Sequence, residues 1–268
     1  MPKLEIRVFR DLEELSWAAA TQFEDLARIK AIEKKTFSAA LSGGSTPRVL
    51  YEILGRPTFA GRIGWQNVHL FQVDERCVPP DHPESNYRMI REALLSRAAL
   101  PEANFHRLAA ERADYDEACR EYAEEMARVI EPRQDGWPRL ELVFLGMGPD
   151  GHTASLFPGT EALDERVLWV RPNYVEKSKM RRLTMTFPVL NAAANVIFLV
   201  AGADKAGMLR LVLEGPPGQL PVQRIQLLNG RLSWFVDEAA ARLLSEQASA
   251  QPTAPRVRVT HSPPGGDS

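Results

Sequence analysis

The chain has 268 residues and a formal net charge of −2, with 33 Lys and Arg against 35 Asp and Glu. No global field draws it to nucleic acid or to an anionic membrane, and its 44% hydrophobic content suits a globular protein with a sizeable core. Its two cysteines, Cys77 and Cys119, lack metal-ligand spacing and exclude a disulfide framework, which fits a reducing compartment.

Leu4 to Phe9 alternates like a strand. Asp11 then caps a long helix, with Glu14 as its capping-box partner and Leu12, Leu15, Ala19, Phe23 and Leu26 at helical spacing. Residues 36–41 read as a second strand, SGGSTP as a loop, and Pro47 as the first residue of the next helix, where its missing N–H costs nothing. Residues 68–73 form a third strand, followed by the loop DERCVPPDHPES and a helix over 86–97. Another amphipathic helix covers 115–130. Residues 140–145 read as an apolar strand, 182–187 as an alternating one and 195–200 as a continuous apolar run. A helix over 204–213, a strand over 232–236 and a helix over 237–244 complete the pattern. Alternating strands and helices, several strands apolar throughout, predict a single doubly wound α/β domain over 1–247, with a mostly parallel sheet covered on both faces. From Ala248 the sequence is rich in Pro, Ser and Gly, so 248–268 is expected to be a disordered tail. The start MPKLEIRVFRDLEEL has no apolar leader core, and no run approaches the roughly 18 apolar residues of a membrane span, so a cytoplasmic protein is expected.

Three loops carry candidate chemistry. In the first, Gly43 and Gly44 let the backbone approach a ligand, Ser45 and Thr46 add hydroxyls, and the following helix dipole favours an anion. The alternative is a tight turn with Thr46 as an ordinary helix cap. No Gly-Lys-Ser/Thr follows, so a small phosphorylated metabolite suits the loop better than a nucleoside triphosphate. Arg182, opening a predicted strand, and Lys205, at the start of the helix over 204–213, both at predicted sheet-edge positions, could complete an anion site. In the second loop, Asp74, Glu75 and Arg76 lie at a strand's carboxyl end, where a carboxylate can orient a histidine and an arginine can stabilise an oxyanion. Glu75 is the candidate for a structural or salt-bridging use, and Cys77 has no evident base to make it a nucleophile. The third loop follows the apolar run 142–145. Gly146, Gly148 and Gly151 match the bare dinucleotide spacing, but Pro149, Pro158 and Gly159 stop any helix from following, which argues against nicotinamide. His152 alone of the five histidines lies in a Gly-rich loop after a buried strand, and an imidazole near neutrality can take a proton from water and return it to a leaving oxygen. No His or Cys pairing supports a metal site.

SGGSTP at 42–47, DERCVP at 74–79 with SNY at 85–87, and GMGPDGHTASLFPG at 146–159 together resemble the 6-phosphogluconolactonase family. The resemblance implies hydrolysis of 6-phospho-D-glucono-1,5-lactone in the pentose phosphate pathway without metal or organic cofactor. It also implies the α/β fold shared with glucosamine-6-phosphate isomerase/deaminase. Its residue roles transfer as follows: Gly43, Gly44, Ser45 and Thr46 hold the phosphate with Arg182 and Lys205; His152 is general base, then acid; Asp74 and Arg76 orient the sugar and balance the oxyanion; and Gly148, Asp150 and Gly151 complete the substrate loop. Before RLTMT the family tends to a proline-rich segment, whereas this chain has VEKSKMR, which leaves Arg181 as an alternative to Arg182. The rival deaminases place a Glu five residues after the histidine, where this chain has Phe157. A third reading, a non-catalytic sugar-phosphate sensor, would need no His152. The implied partner is a small phosphosugar lactone, with no nucleic acid or membrane, in a monomer or small homo-oligomer.

Overall fold

A computed structural model describes residues 4–130 and 133–245 of the chain, so the expected tail over 248–268 lies outside the described residues. The elements run β1 (Leu4–Phe9), α1 (Leu12–Ile32), β2 (Phe37–Leu41), α2 (Ser45–Leu54), α3 (Pro57–Ala60), β3 (Val68–Gln72), β4 (Asp74–Arg76) and α4 (Asn86–Ile90). They continue with β5 (Phe105–His106), α5 (Tyr115–Val129), β6 (Arg133–Gln134), β7 (Trp137–Pro138), β8 (Leu142–Leu145), β9 (Val170–Val175) and β10 (Met180–Met185). Last come α6 (Phe187–Ala192), β11 (Asn195–Val200), α7 (Ala206–Glu214), β12 (Arg231–Asp237) and α8 (Glu238–Ala241).

Seven strands form one sheet in the order β1-β12-β11-β8-β2-β3-β5, and every pairing in it is parallel. The apolar strands are continuous because the sheet is covered on both sides. Val143, Leu145, Phe198 and Val200 pack on one face with residues of α5 and α7, whereas Leu142, Phe144, Ile197 and Leu199 pack on the other with α1 and α2. Helix α1 buries Leu15, Ala19, Phe23 and Ala27 at helical spacing. Asp11 caps it as expected, accepting the Glu14 N–H at 2.9 Å, while the Glu14 carboxylate reaches back one residue further, to the Arg10 N–H. No described helix is long and apolar enough to cross a membrane.

The strand order reverses between β2 and β8. From β2 the chain proceeds outward to β3 and β5, and from β8 outward to β11 and β12, so the loops after β2 and β8 leave in opposite directions and open a crevice at their carboxyl ends.

The structure corrects several expected boundaries. Asp74–Arg76 is not the start of a loop but β4, the edge of a three-stranded antiparallel sheet, β4-β10-β9, in which Arg76 pairs with Arg182 and Asp74 with Thr184. The alternating segment beginning near 182 is therefore the middle strand of this second sheet. Toward its carboxyl end Leu183, Thr184 and Met185 are all buried, so both faces of the strand are covered there. Helix α2 begins at Ser45, with Pro47 in its first turn rather than at its first position. The helix over 86–97 widens along its length, being α to Ile90 and a wider π turn over Arg91–Leu95, where it ends.

Candidate active site

A cavity of about 270 Å³ occupies the crevice, and its lining draws on all three loops. The segment after β2 supplies one wall. Ser42 is pinned there by two buried bonds: its hydroxyl donates to the Phe144 carbonyl at 2.7 Å, and its own carbonyl accepts from Tyr51 at 2.8 Å. Gly44, at φ +115°, turns the chain into α2 and serves as a cap without a side chain. The N–H groups of Ser45 and Thr46 thus open the helix with no intrahelical acceptor, and Pro47 has none to offer. Thr46 is not the cap, as the alternative reading required. Gly43 is fixed by crowding, since a Cβ there would lie 1.7 Å from the Asn86 Oδ1.

The opposite wall comes from the small sheet. The β4–β10 pairing sets Arg76 and Arg182 side by side, and both line the cavity with Lys205, which lies just before α7. Arg76 donates to the Glu84 carbonyl at 2.8 Å and to the Asn86 side chain. The Arg182 guanidinium is different: its Nε is buried without a hydrogen-bond partner, and burial lowers its pKa against the pull of Asp74. Arg182 lines the cavity while carrying this unsatisfied donor, and an anion bound to its guanidinium would supply the charge-assisted partner it lacks. Arg181 points the other way, over the rings of Tyr115 and Tyr174.

Asp74 is 5% exposed; it accepts from Ser155 at 2.5 Å, and the Asn86 amide donates to its backbone carbonyl at 2.9 Å. Glu75 is the anchor of this corner. Its carboxylate accepts from the Gln72 amide, the Ser85 hydroxyl and the backbone N–H groups of Arg76, Asn86 and Tyr87. It forms no ion pair among the described residues; burial raises its pKa while these donors oppose the rise. Cys77 is half-buried, and desolvation pushes its thiol up to about 12, which leaves negligible thiolate near neutrality.

His152 enters from the loop after β8. That loop closes on itself through bonds from the Gly148 N–H to the His152 carbonyl, 2.9 Å, and from the Gly151 N–H to the Gly148 carbonyl, 3.1 Å. No helix follows, so the dinucleotide spacing has no helix N-terminus to serve it. A Cβ on Gly148 would meet the imidazole at 2.0 Å, so the ring can sit there only over a glycine. Imidazole Nδ1 lies 2.5 Å from the Asp150 Oδ1, and Asp150 Oδ2 lies 3.5 Å from Lys177 Nζ. With Nδ1–H donated to Asp150, Nε2 carries the lone pair. Burial lowers the His152 pKa and Asp150 raises it, the burial being the larger influence. The base is therefore neutral at neutral pH.

Gly43, Gly44, Ser45, Thr46, Asp74, Arg76, Gly148, His152, Arg182 and Lys205 all line the one cavity. Asp150 and Gly151 do not; Asp150 stands behind His152, and Gly151, at φ +73°, is turned toward Leu220. Asn86 lines the cavity without having been singled out; the string SNY after DER was its only signal. The Asp150 role was legible only in the D-G-H spacing. Among the described residues no group of three or more His, Cys, Asp or Glu side chains is arranged to hold a metal ion.

The family model described as glucosamine-6-phosphate isomerases/6-phosphogluconolactonase matches residues 10–234. The chain is 41% identical over 220 residues to a 6-phosphogluconolactonase of Synechocystis sp., covering 80% of this chain and 88% of that one. To the 6-phosphogluconolactonase of Rattus norvegicus it is 39% identical over 245 residues, 90% and 93% of the two chains. The solved 6-phosphogluconolactonase of Trypanosoma brucei superposes with a TM-score of 0.80 at 27% identity, over 91% of this chain and all of that one. With a parallel sheet reversing at its centre, a histidine in the crevice and these likenesses spanning nearly the whole domain, the chain belongs to the glucosamine-6-phosphate isomerase/6-phosphogluconolactonase family.

Proposed function

We propose that this protein hydrolyses 6-phospho-D-glucono-1,5-lactone to 6-phospho-D-gluconate, in the oxidative branch of the pentose phosphate pathway, with water as the only co-substrate. The observation that carries the reading is a neutral His152, oriented by Asp150, in the same cavity as an open helix start and the unsatisfied Arg182. The phosphate is held by the N–H groups and hydroxyls of Ser45 and Thr46, with Arg182 and Lys205 supplying charge. His152 Nε2 takes a proton from water, and the oxygen attacks the lactone carbonyl carbon. Arg76 offsets the charge on the tetrahedral oxyanion, and Asp74 accepts a sugar hydroxyl. Collapse breaks the bond from that carbon to the ring oxygen, which takes the proton back from His152, and the carboxylic acid product ionises in water.

Deaminase chemistry needs ring opening and proton movement between carbons, and the position five residues after His152 is Phe157, which accepts no proton. The reading implies a small phosphosugar ligand and no nucleic acid, in a monomer or small homo-oligomer. The unpaired thiols of Cys77 and Cys119 favour a cytoplasmic setting.

The test is an assay of lactone disappearance corrected for spontaneous hydrolysis. Purified protein should accelerate it and release no ammonia from glucosamine 6-phosphate; the reverse pattern would overturn the reading. His152→Ala should keep phosphate-dependent substrate binding while kcat drops by about 10²–10⁴.

A further inference from the structure

The Phe157 ring touches both halves of the site without facing the ligand. It stacks on the His152 imidazole with centroids 3.9 Å apart and planes 23° from parallel. The Arg182 guanidinium carbon lies 5.2 Å from the centre of the same ring. Phe157 is 8% exposed and does not line the cavity, so it stands behind the two groups rather than beside a substrate.

Each neighbour lacks another full restraint. The Asp150 bond holds His152 at one atom, Nδ1, and the Gly148 backbone backs part of the ring, which leaves the remaining pivot about that bond to be limited by another contact. No hydrogen bond or ion pair among the described residues holds the Arg182 guanidinium, and its Nε is buried without a partner. A flat ring packed against both removes the pivot of one and gives the other a face to rest on, since a guanidinium is drawn to an aromatic face and two rings prefer a defined stacked geometry.

We propose that Phe157 is a positioning residue that holds the general base and the phosphate-binding arginine in one rigid frame. It thereby sets the separation between the lactone carbonyl and the phosphate that the site accepts. This inference rests on the lactonase reading of the site. It assigns a positive task to a side chain that otherwise marks only the absence of a carboxylate. The ring also covers one imidazole face and contributes to the burial that keeps the base neutral.

Phe157→Leu keeps apolar bulk and removes the plane; Phe157→Tyr keeps the plane. For Phe157→Leu we expect kcat to fall and KM to rise, each roughly tenfold, because a base or a binding cation displaced by a fraction of an ångström loses alignment with the reacting atoms. The acid limb of kcat/KM should move to higher pH as water reaches the imidazole. Phe157→Tyr should restore both constants and the limb. The other charged groups facing His152, Asp150 on its own loop, Asp74 on β4 and Arg182 on β10, are unaltered by these substitutions, so a shifted limb reports the ring. NMR titration of the His152 imidazole in both variants reads the same shift without substrate. If the parent protein hydrolyses no lactone, the lactonase reading fails while the titration still decides whether Phe157 shields the base. If the lactone is hydrolysed and Phe157→Leu leaves kcat, KM and the titration unchanged, the positioning role is overturned alone. A change in kcat and titration with KM unchanged would overturn the link to Arg182. Should Phe157→Leu be unfolded at the assay temperature, Phe157→Met carries the same comparison.

Discussion

At the scale of the residue, the site turns on how burial and the Asp150 carboxylate set the basicity of His152. Burial lowers its pKa, and the Asp150 carboxylate at Nδ1 opposes that by favouring the imidazolium. Asp150→Asn can still accept the Nδ1 proton but carries no charge. We therefore expect the acid limb of kcat/KM to move to lower pH, opposite to Phe157→Leu, with kcat reduced because the base is weaker. A pH–rate profile measured beside the parent checks this, and a limb that moves upward would contradict it. Lys177 reaches Asp150 from the β9–β10 turn, but its side chain is 72% exposed, so its ion pair is a weak influence on the base. Arg181 and Arg182 show the same economy of geometry: adjacent residues on a strand face opposite sides, so only one of the two can enter the cavity.

Elements decide where these side chains meet. Helix α2 starts at Ser45 because Gly44 adopts a positive φ that an L side chain avoids, and this delivers two open N–H groups to the cavity. Behind the turn, Gly43 lies against Asn86, whose side chain also accepts from Arg76. Gly43→Ala places a methyl into that carboxamide, and either the turn or Asn86 must shift, taking Arg76 with it. Substrate KM should rise roughly tenfold or more, with a folded protein by circular dichroism. A KM equal to the parent's would show that Asn86 moves away at no cost to binding. Strand β4 is the other decisive element. It continues β3 after a single residue, yet pairs with β10 in a different sheet, and its Glu75 carboxylate gathers the backbone of Asn86 and Tyr87 and holds the α4 start against it.

The whole molecule carries a second histidine assembly, far along β3 from its cavity end. His69 Nδ1 lies 2.9 Å from His106 Nε2, and His106 Nδ1 lies 3.0 Å from Glu125 on α5, with Arg128 paired to the same glutamate. Burial lowers the pKa of both histidines, with Glu125 opposing it for each. Because the folded values lie below the ordinary imidazole value of 6.5, the unfolded chain binds more protons in that window. The pair's contribution to stability is therefore full above 6.5 and is lost as pH falls through the lowered folded values. His152 adds a dependence of the same sign. Chemical denaturation at a series of pH values should show midpoints falling with acidification, and His106→Asn should flatten that slope. Equal slopes would rule out the pair as its source.

Much of this was open to reading in one dimension. Continuous apolar runs such as 142–145 and 195–200 require a sheet buried on both faces, and SGGSTP and PDGHTAS announce loops with anion-binding and proton-transfer chemistry, because local propensity and side-chain type reside in the residues themselves. Tertiary structure alone decided that Asp74–Arg76 is a strand, that its partner is β10, and that Arg182 rather than Arg181 enters the cavity. It alone brought Asn86 to Gly43 and turned Phe157 into a platform for His152. The strand pairing and the Asn86 contact join segments far apart in the chain, and the stacking of Phe157 on His152 depends on how the loop after β8 closes; register and ring contact of this kind are set by the packed whole, which leaves no local mark on the chain.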